Sequence, residues 1–237
     1  MIETFEAIAA DLHTHLTQDP NARLMCGVSE RLGELPDPSQ AASRAVQQSA
    51  KSLLARIEAI RGEESDFDTQ LDMDLAELML RSEVHDHGYL FNGRTKRQQM
   101  PKAGEEIGDG IFLLFINDPR ESEQRLADIV GRLQAVPEYL EKMLARLEEP
   151  LARWVSMDLE TVEGLPQLFA TVESWAAESG YSGLGDLQNA RSAAETALLS
   201  YAERLAAMPT TDQLHVGEET ARTIVSLRGI DKSFDEL

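Results

Sequence analysis

The residues best suited to chemistry in this sequence are two pairs of histidines, each with one residue between the partners. His13 and His15 form the first pair, and His85 and His87 form the second. On a helix, residues i and i+2 project about 200° apart, whereas a helical pair that binds one metal ion needs the spacing i, i+4. The second pair would be able to chelate if its segment were extended. Polar histidines at a surface or a helix end are the simpler interpretation of this second pair.

A run of acids between residues 66 and 77, DFDTQLDMDLAE, places oxygen-bearing side chains at the ligand positions of an EF-hand calcium loop. The sixth position of that loop requires glycine for a sharp turn, and here it is Leu71. Phe67, Leu71, Leu75 and Leu78 keep helical spacing through the whole run. The pattern therefore predicts the charged start of a helix rather than a calcium site.

A basic stretch is the third candidate, because basic residues mixed with aromatics can bind phosphate or RNA. Its basic residues are Arg94, Lys96, Arg97 and Lys102. Tyr89 and Phe91 come just before them. On so acidic a chain, neutralisation of the protein's own carboxylates is the simpler role for this 94–102 loop. Ligand binding there stays an alternative.

Complete catalytic motifs do not occur in the sequence. There is no GxSxG nucleophile elbow and no HExxH, and Cys26, the only cysteine, lies in no redox or metal motif. GLGDLQ (183–188) has too few glycines for a dinucleotide loop. The sequence therefore predicts no catalytic, cofactor-binding or metal-binding residue in this chain.

Composition limits the classes of partner. The 237 residues include 22 Lys and Arg and 42 Asp and Glu, a formal net charge of −20. Such a surface repels nucleic-acid phosphates and anionic lipid headgroups, so we expect neither nucleic acid nor membrane as a partner. No apolar run approaches the ~18 residues of a membrane span, and the acidic first residues do not fit a signal peptide. A cytoplasmic protein is the simplest expectation.

Helical periodicity organises the first half of the chain. Apolar residues at three- and four-residue spacing predict a helix over 2–16, and Asp19-Pro20 ends it. Residues 20–36 have no clear pattern and are predicted to be a connector. Capping signals at Asp37-Pro38 predict a second helix that ends at Gly62, and a third follows over 66–84. Residues 88–104 are predicted to form a long loop.

The second half is also predicted to be helical. IFLLFI (111–116) is assigned to the end of a helix begun near Ala103, because no second strand-like run exists to pair with it. The segment 117–150 has a helix cap at Asp118 and an apolar stripe, and Pro137 is expected to kink or divide it. Further helices are predicted at 151–178 with a break near 164–166, at 186–208, at 217–227, and as a start at 231–237.

The resulting fold class is all-α, with about seven to nine helices and long antiparallel helix hairpins. A single helical domain over 1–237 is expected, and the 88–104 loop is the candidate for a boundary within it. Three acid-before-base pairs at i, i+4 are expected to support the helix after residue 118. They are Glu121/Arg125, Asp128/Arg132 and Glu138/Lys142.

Three segments carry a resemblance to a known family. NDPRESEQRLADIVGRLQAVPEYLEKMLARLEEP (117–150) and RWVSMDLETVEGL (153–165) resemble a helix pair and the helix after it in the bacterial domain of unknown function 885 family. HVGEETARTIVSLRGIDKSFDEL (215–237) resembles a later segment of that family. Family members look like helical zinc metallopeptidases of the thermolysin-like clan, whose HExxH motif lies well downstream of the matched segments.

The resemblance implies a non-catalytic role for this chain. It would be the N-terminal helical half of a metallopeptidase-like protein and would form one wall of a substrate cleft. Zinc is expected only in a downstream catalytic half, and none of the family's catalytic residues maps onto a position here. The alternative is a stand-alone helical scaffold or protein-interaction module. The partners that we expect are a C-terminal half, a second copy or another protein.

Overall fold

The computed structural model describes residues 4–62, 66–213, 215–230, 232, 233 and 236. Within these residues it contains ten α-helices and one two-stranded hairpin, which confirms the all-α class. The chain divides into two compact units. Unit 1 comprises Met1–Leu16, Gln40–Lys96 and Gln213–Leu237, and unit 2 comprises Thr17–Ser39 and Arg97–Asp212.

Unit 1 is built around a bundle of three helices. Its elements are α1 (Phe5–Leu16), α3 (Gln40–Ile60), α4 (Phe67–Gly88), β1 (Leu90–Phe91), β2 (Arg94–Thr95) and α10 (Glu218–Ser226). Helix α3 packs against both α1 and α4. Their shared core includes Ile8, Leu53, Ile57, Met73 and Leu80. The predicted Ile2 and most of the helix start at 231–237 lie outside the described residues.

Of the two apolar rows on α4, the row that contains Met73 and Leu80 is buried rather than the row that begins at Phe67. Met73, Ala76 and Leu80 are buried, whereas Phe67 and Leu71 of the predicted stripe are 75% and 55% exposed. Two apolar rows run along this helix, and periodicity alone does not say which row contacts α3. Asp66 caps the helix and accepts a hydrogen bond from the Thr69 amide, as expected of a charged helix start.

A β-hairpin replaces the first part of the predicted 88–104 loop. Leu90 pairs with Thr95 and Phe91 with Arg94 in antiparallel register. The two turn residues, Asn92-Gly93, have φ values of 54° and 77°, as the type I′ turn of a tight hairpin requires. The prediction of a loop was wrong here because Asn-Gly between short apolar and polar runs is itself a hairpin signal.

Unit 2 contains the longer helices and the larger hydrophobic core. Its helices are α2 (Pro20–Met25), α6 (Ala103–Ile116), α7 (Ser122–Arg146), α8 (Ala152–Glu178) and α9 (Leu184–Ala206), while α5 (Lys96–Gln99) contains the junction with unit 1. Helix α6 packs against α2, α7 and α8, and α9 packs against α7 and α8. Ile111 and Leu114 of α6 are fully buried in this core, which confirms that IFLLFI ends a helix.

Two predictions about helix ends in unit 2 were wrong. Residues 20–25 form α2 rather than a connector, because Asp19 caps a new helix and Pro20 occupies its first turn. Helix α7 begins at Ser122, later than the Asp118 cap predicts. The Asp118 carboxylate instead binds the backbone amide and guanidinium of Arg120, which forms a turn before the helix.

The prolines inside α7 and α8 do not divide those helices. Helix α7 is continuous across Pro137, and α8 is continuous across Pro166, so the break predicted near 164–166 is absent. Val136, Tyr139 and Leu140 are buried around Pro137. Burial of the neighbouring apolar side chains offsets the single backbone hydrogen bond that each proline removes.

Only one of the three predicted ion pairs along α7 forms. Lys142 lies 2.9 Å from Glu138, but Arg132 turns inward instead of pairing with Asp128. Arg125 donates to the Leu114 carbonyl oxygen at 2.8 Å. Helical spacing predicts which side chains are neighbours, but tertiary acceptors compete for the guanidinium groups.

Candidate functional site

A cleft of about 450 Å³ opens between α2 and the outer face of α6, within unit 2. We call it the α6 cleft. Its lining is unusually acidic and has an apolar end. The lining residues are Asp19, Asn21, Ala22, Met25, Lys102, Glu105, Glu106, Asp109, Phe112 and Leu113. A concave surface with a few convergent polar groups is the usual form of a ligand site.

Asn21 fixes the two helices that form the cleft. Its side-chain amide donates to the carbonyl oxygen of Glu106 at 3.0 Å, and its side-chain oxygen accepts from Nη1 of Arg132. Arg132 is fully buried and also donates to the carbonyl oxygens of Leu32 and Pro20, at 2.6 Å and 3.2 Å. Burial lowers the pKa of Arg132 to about 10, so the group keeps its charge at neutral pH. This guanidinium therefore holds α2 in place against α6.

Glu106 is the most enclosed carboxylate in the cleft lining. The Tyr139 hydroxyl donates to its Oε2 at 3.3 Å from a buried position on α7. Burial raises the pKa of Glu106 above its ordinary value, and the positive charge of Lys102 only partly offsets this effect. Burial and the neighbouring charge of Glu105 also raise the pKa of Asp109. The cleft thus contains carboxyl groups that hold a proton more readily than usual.

A second buried carboxylate lies behind the first turn of α6. Asp158 of α8 accepts from the backbone amide of Gly104 at 2.8 Å and from the hydroxyl of Tyr201 at 2.6 Å. Burial raises the pKa of Asp158 in spite of these two donors, and burial also raises the pKa of Tyr201. Asp158 therefore caps α6 from a neighbouring helix and links α6, α8 and α9.

A smaller cavity of about 140 Å³ adjoins the same turn of α6. Asp158, Trp154 and Thr161 contribute to its lining, together with Lys102 and Glu105. Lys102 lies 2.7 Å from Glu105, and this ion pair borders both the cavity and the α6 cleft. The pair therefore contributes to the lining of both spaces.

The chemistry that this arrangement supports is recognition of a positive charge. Four carboxylates, from Asp19, Glu105, Glu106 and Asp109, line the cleft with one lysine. A ligand with an ammonium or guanidinium group would add charge-assisted hydrogen bonds to these oxygens. Among the residues that the structure describes, no group of three or more His, Cys, Asp or Glu is placed to hold a metal ion.

Comparison with known proteins identifies the family. A model described as "Bacterial protein of unknown function (DUF885)" matches residues 20–220, which is most of the chain. The chain belongs to the DUF885 family. No curated protein matches it.

A solved structure shares the fold of this DUF885 chain. It is described as a "putative lipoprotein of unknown function" from Shewanella oneidensis, and it superposes with a TM-score of 0.82 at 16% sequence identity. The match covers 95% of this chain but 42% of that chain. The DUF885 chain therefore spans less than half the length of this structural neighbour, and at this identity the likeness shows the fold alone. Within the described ranges, no helix is both long and apolar enough to cross a membrane.

The histidines of the DUF885 chain are not brought together as metal ligands. His15 is buried in unit 1, with Nδ1 2.9 Å from Ser49 Oγ and Nε2 2.5 Å from Glu83 Oε2. Nδ1 of His87 lies 2.7 Å from Ser43 Oγ, and His85 stacks on Tyr89. Both pairs lie on helices, so their members diverge as the i, i+2 spacing predicts. The burial of His15 was not predicted from the sequence.

Two residues of the basic stretch, Lys96 and Lys102, neutralise carboxylates of the protein itself, as the sequence favours. Lys96 lies 2.9 Å from Asp86 in unit 1, and Lys102 pairs with Glu105 in unit 2. The boundary between the two units falls directly after Lys96. Arg94 and Lys96 thus belong to a different unit from Arg97 and Lys102.

Sequence reasoning missed the acidic groups of the α6 cleft and the buried polar groups behind them. One signal was available: Asp158 occupies the same helical face as Val155, Val162 and Leu165, all of which are buried. A carboxylate inside an apolar stripe needs buried partners. Glu106 and Asp109 gave no such signal, because acids on a helix usually face solvent.

Proposed function

We propose that this DUF885 chain is the non-catalytic helical portion of a metallopeptidase-like protein and that the α6 cleft forms one wall of its substrate cleft. The α6 cleft carries the proposal, because it is an open concave surface whose acidic groups are fixed by buried partners. The resemblance to zinc metallopeptidases supplies the class of activity. The greater length of the structural neighbour is consistent with this fold being one part of a larger protein.

The charge of the cleft suggests which part of a peptide it would contact. Glu105 and Asp109 lie one helical turn apart on the exposed side of α6, and Glu106 lies between them in sequence. An α-ammonium group or a Lys or Arg side chain would be attracted to these carboxylates. Met25 and Phe112, which are 76% and 46% exposed, would contact apolar side chains at the other end.

Zinc chemistry would have to come from residues other than those described. Zinc is held by three or four protein ligands, and the described residues offer no such group. We therefore assign this chain the role of binding and orienting a peptide, and we derive no zinc-dependent step from it.

The first test is peptide binding to the purified chain. We would compare a short fluorescent peptide that has a free amino terminus with its N-acetylated form, by fluorescence anisotropy. Binding of the free amine should be several-fold tighter, and Asp109→Asn should remove most of that preference. Asp186→Asn, an exposed acid in the first turn of α9, is the matched control and should leave it unchanged. Equal binding of the two peptides would contradict the proposed cleft.

The second test addresses the absence of catalysis. The same preparation is incubated with zinc and a casein or peptide-library substrate, and its metal content is measured after dialysis. We expect neither cleavage nor stoichiometric zinc. Cleavage by this chain with one bound zinc would overturn the non-catalytic role, even if peptide binding were confirmed.

A further inference from the structure

Helix α4 carries an exposed row of large apolar side chains. Phe67, Leu71, Leu75 and Met79 recur at every fourth residue and are 75%, 55%, 55% and 42% exposed. We call these four residues the α4 stripe. The row is about 18 Å long at 1.5 Å per residue. It points away from the buried row of the same helix, which packs in the core of unit 1.

The length and continuity of the α4 stripe distinguish it from ordinary surface leucines. Single exposed apolar residues are normal, whereas a contiguous apolar patch on a protein surface marks an interaction site. Residues i and i+4 are neighbours on a helix, so the four side chains form one continuous ridge. A second helix laid along that ridge would bury all four at once.

The charges beside the α4 stripe are predominantly negative. The helix contains six carboxylates and one arginine. Asp68 and Asp72 lie along one edge and form no ion pair with any described residue. Along the other edge, Arg61 lies 2.8 Å from Asp74 and also binds Glu77. The first edge therefore leaves two negative charges available to a partner.

A cavity lies on the second edge of the stripe. Its volume is about 390 Å³, and Arg61, Asp74, Glu77, Leu78 and Arg81 line it. Leu78 is only partly buried and lies between Phe67 and Leu71 on the helical wheel. The ridge is thus bordered by a hollow large enough for a side chain, as in helix-on-helix packing.

We propose that the α4 stripe docks an amphipathic helix of a partner protein, with Lys or Arg flanking the apolar face of that helix. The apolar face would cover Phe67, Leu71, Leu75 and Met79. The basic residues would lie opposite Asp68 and Asp72, and one side chain would enter the cavity beside Leu78. The surface lies within unit 1, and the proposal does not depend on the α6 cleft of unit 2.

Charge argues against two other occupants. A second copy of α4 would bring a helix with six carboxylates and one arginine against an identical one, and like charges at such an interface are unfavourable. An anionic lipid surface would repel the acids for the same reason. A basic helix avoids both repulsions, and its apolar face would cover the α4 stripe.

The experiment uses three synthetic peptides of about 16 residues, each long enough to cover the stripe. The first has a leucine face flanked by lysines, the second replaces the lysines with glutamates, and the third keeps the lysines but scrambles the leucine spacing. Binding to the intact chain is measured by anisotropy at about 50 mM and about 300 mM salt. Only the first peptide should bind, and more weakly at the higher salt.

Two variants locate the binding surface. The double variant Leu71→Ser/Leu75→Ser should weaken binding by at least about tenfold, equivalent to about 1.4 kcal/mol. Asp68→Asn/Asp72→Asn should weaken it by about threefold and reduce its dependence on salt. Leu199→Ser on α9, where the leucine is 70% exposed and outside the stripe, is the matched control and should bind as the parent does. Circular dichroism checks that each variant is folded.

Every other outcome overturns the proposal. Equal binding of the acidic or scrambled peptide would remove the chemistry claimed for the partner. A dimer in light scattering that Leu71→Ser/Leu75→Ser converts to a monomer would assign the stripe to a second copy. Flotation of the protein with vesicles of phosphatidylcholine and phosphatidylserine, lost in the same variant, would assign it to a membrane. Absence of binding by all three peptides would leave the stripe without the proposed occupant.

Discussion

The Tyr201 hydroxyl donates a 2.6 Å hydrogen bond to Oδ2 of Asp158, and both side chains are buried in unit 2. The other oxygen of the same carboxylate accepts the Gly104 amide at the start of α6. A single carboxylate thus joins three helices behind the α6 cleft. Its two donors are what make burial of the acid tolerable.

Removal of the Tyr201 hydroxyl should destabilise the protein. We expect Tyr201→Phe to lower the free energy of unfolding by about 1–3 kcal/mol, because Asp158 would keep only the Gly104 amide as a donor. Urea denaturation followed by circular dichroism measures the change. Tyr181→Phe is the control, since Tyr181 is only partly buried and its hydroxyl forms no hydrogen bond with a described residue. Equal stability of the parent and Tyr201→Phe would show that the bond contributes nothing net.

Replacement of Glu106 by glutamine should stabilise the protein near neutral pH. Because burial raises the pKa of Glu106, the folded state binds its proton over a range that begins near the ordinary value of 4.5 and extends upward. The free energy of unfolding therefore falls as pH rises through that range. Glu106→Gln removes this loss, and we expect Tm to rise by roughly 2–4 °C at pH 7, as about 1 kcal/mol would give.

The pH dependence supplies the decisive control for Glu106. The Tm difference between Glu106→Gln and the parent should shrink as the pH falls below the raised pKa, because the parent carboxyl is then neutral too. Glu105→Gln changes the neighbouring, exposed acid and should not reproduce this behaviour. A difference in Tm that is the same at pH 4 and pH 7 would contradict burial of Glu106 as its cause.

The longer helices were predictable because their apolar period shows over several turns, whereas the six-residue α2 was too short for this. IFLLFI was assigned correctly because an isolated strand would leave its backbone groups without partners. Helix α4 shows the limit of that reasoning. Two apolar rows fit the same period, and only the packing of α3 against Met73 and Leu80 decides which one is buried.

The candidate site was not predictable, because its character depends on partners that are distant in sequence. Arg132 contacts Asn21 and Leu32, more than 90 residues earlier in the chain. Its i, i+4 spacing from Asp128 predicted a local ion pair with that residue instead. Glu106 becomes enclosed only because α2 and Tyr139 lie beside it. Local periodicity contains no information about either arrangement.

The hydrogen bonds of His15 should stabilise unit 1. His15→Ala removes a buried ring that contacts Ser49 of α3 and Glu83 of α4, and it leaves both of them with one partner fewer. We expect a loss of about 1–3 kcal/mol. Glu6→Ala, at an exposed position on the same helix, is the control and should change stability by less than about 0.5 kcal/mol. Similar losses in both variants would point to helix propensity rather than to the buried contacts.

Gly110 should be essential because it leaves room for the buried guanidinium behind the α6 cleft. A Cβ atom at Gly110 would overlap Nη1 of Arg132 and lie 2.6 Å from the Asn21 side-chain oxygen. Alanine is normally the better helix former, by about 1 kcal/mol. Here, displacement of a buried charge from its acceptors should outweigh that gain, since breaking such contacts costs about 3–5 kcal/mol. We expect Gly110→Ala to lose about 2–4 kcal/mol in urea denaturation.

Gly164 of α8 provides the comparison, since a Cβ atom there would meet nothing within 4 Å. Gly164→Ala should therefore gain up to about 1 kcal/mol from helix propensity alone. The opposite signs of the two substitutions separate packing around Arg132 from the intrinsic preference of the helix. If Gly110→Ala were as stable as Gly164→Ala, Arg132 would have to have an alternative position of equal free energy. The attachment of α2 to α6, on which the shape of the α6 cleft depends, would then need another cause.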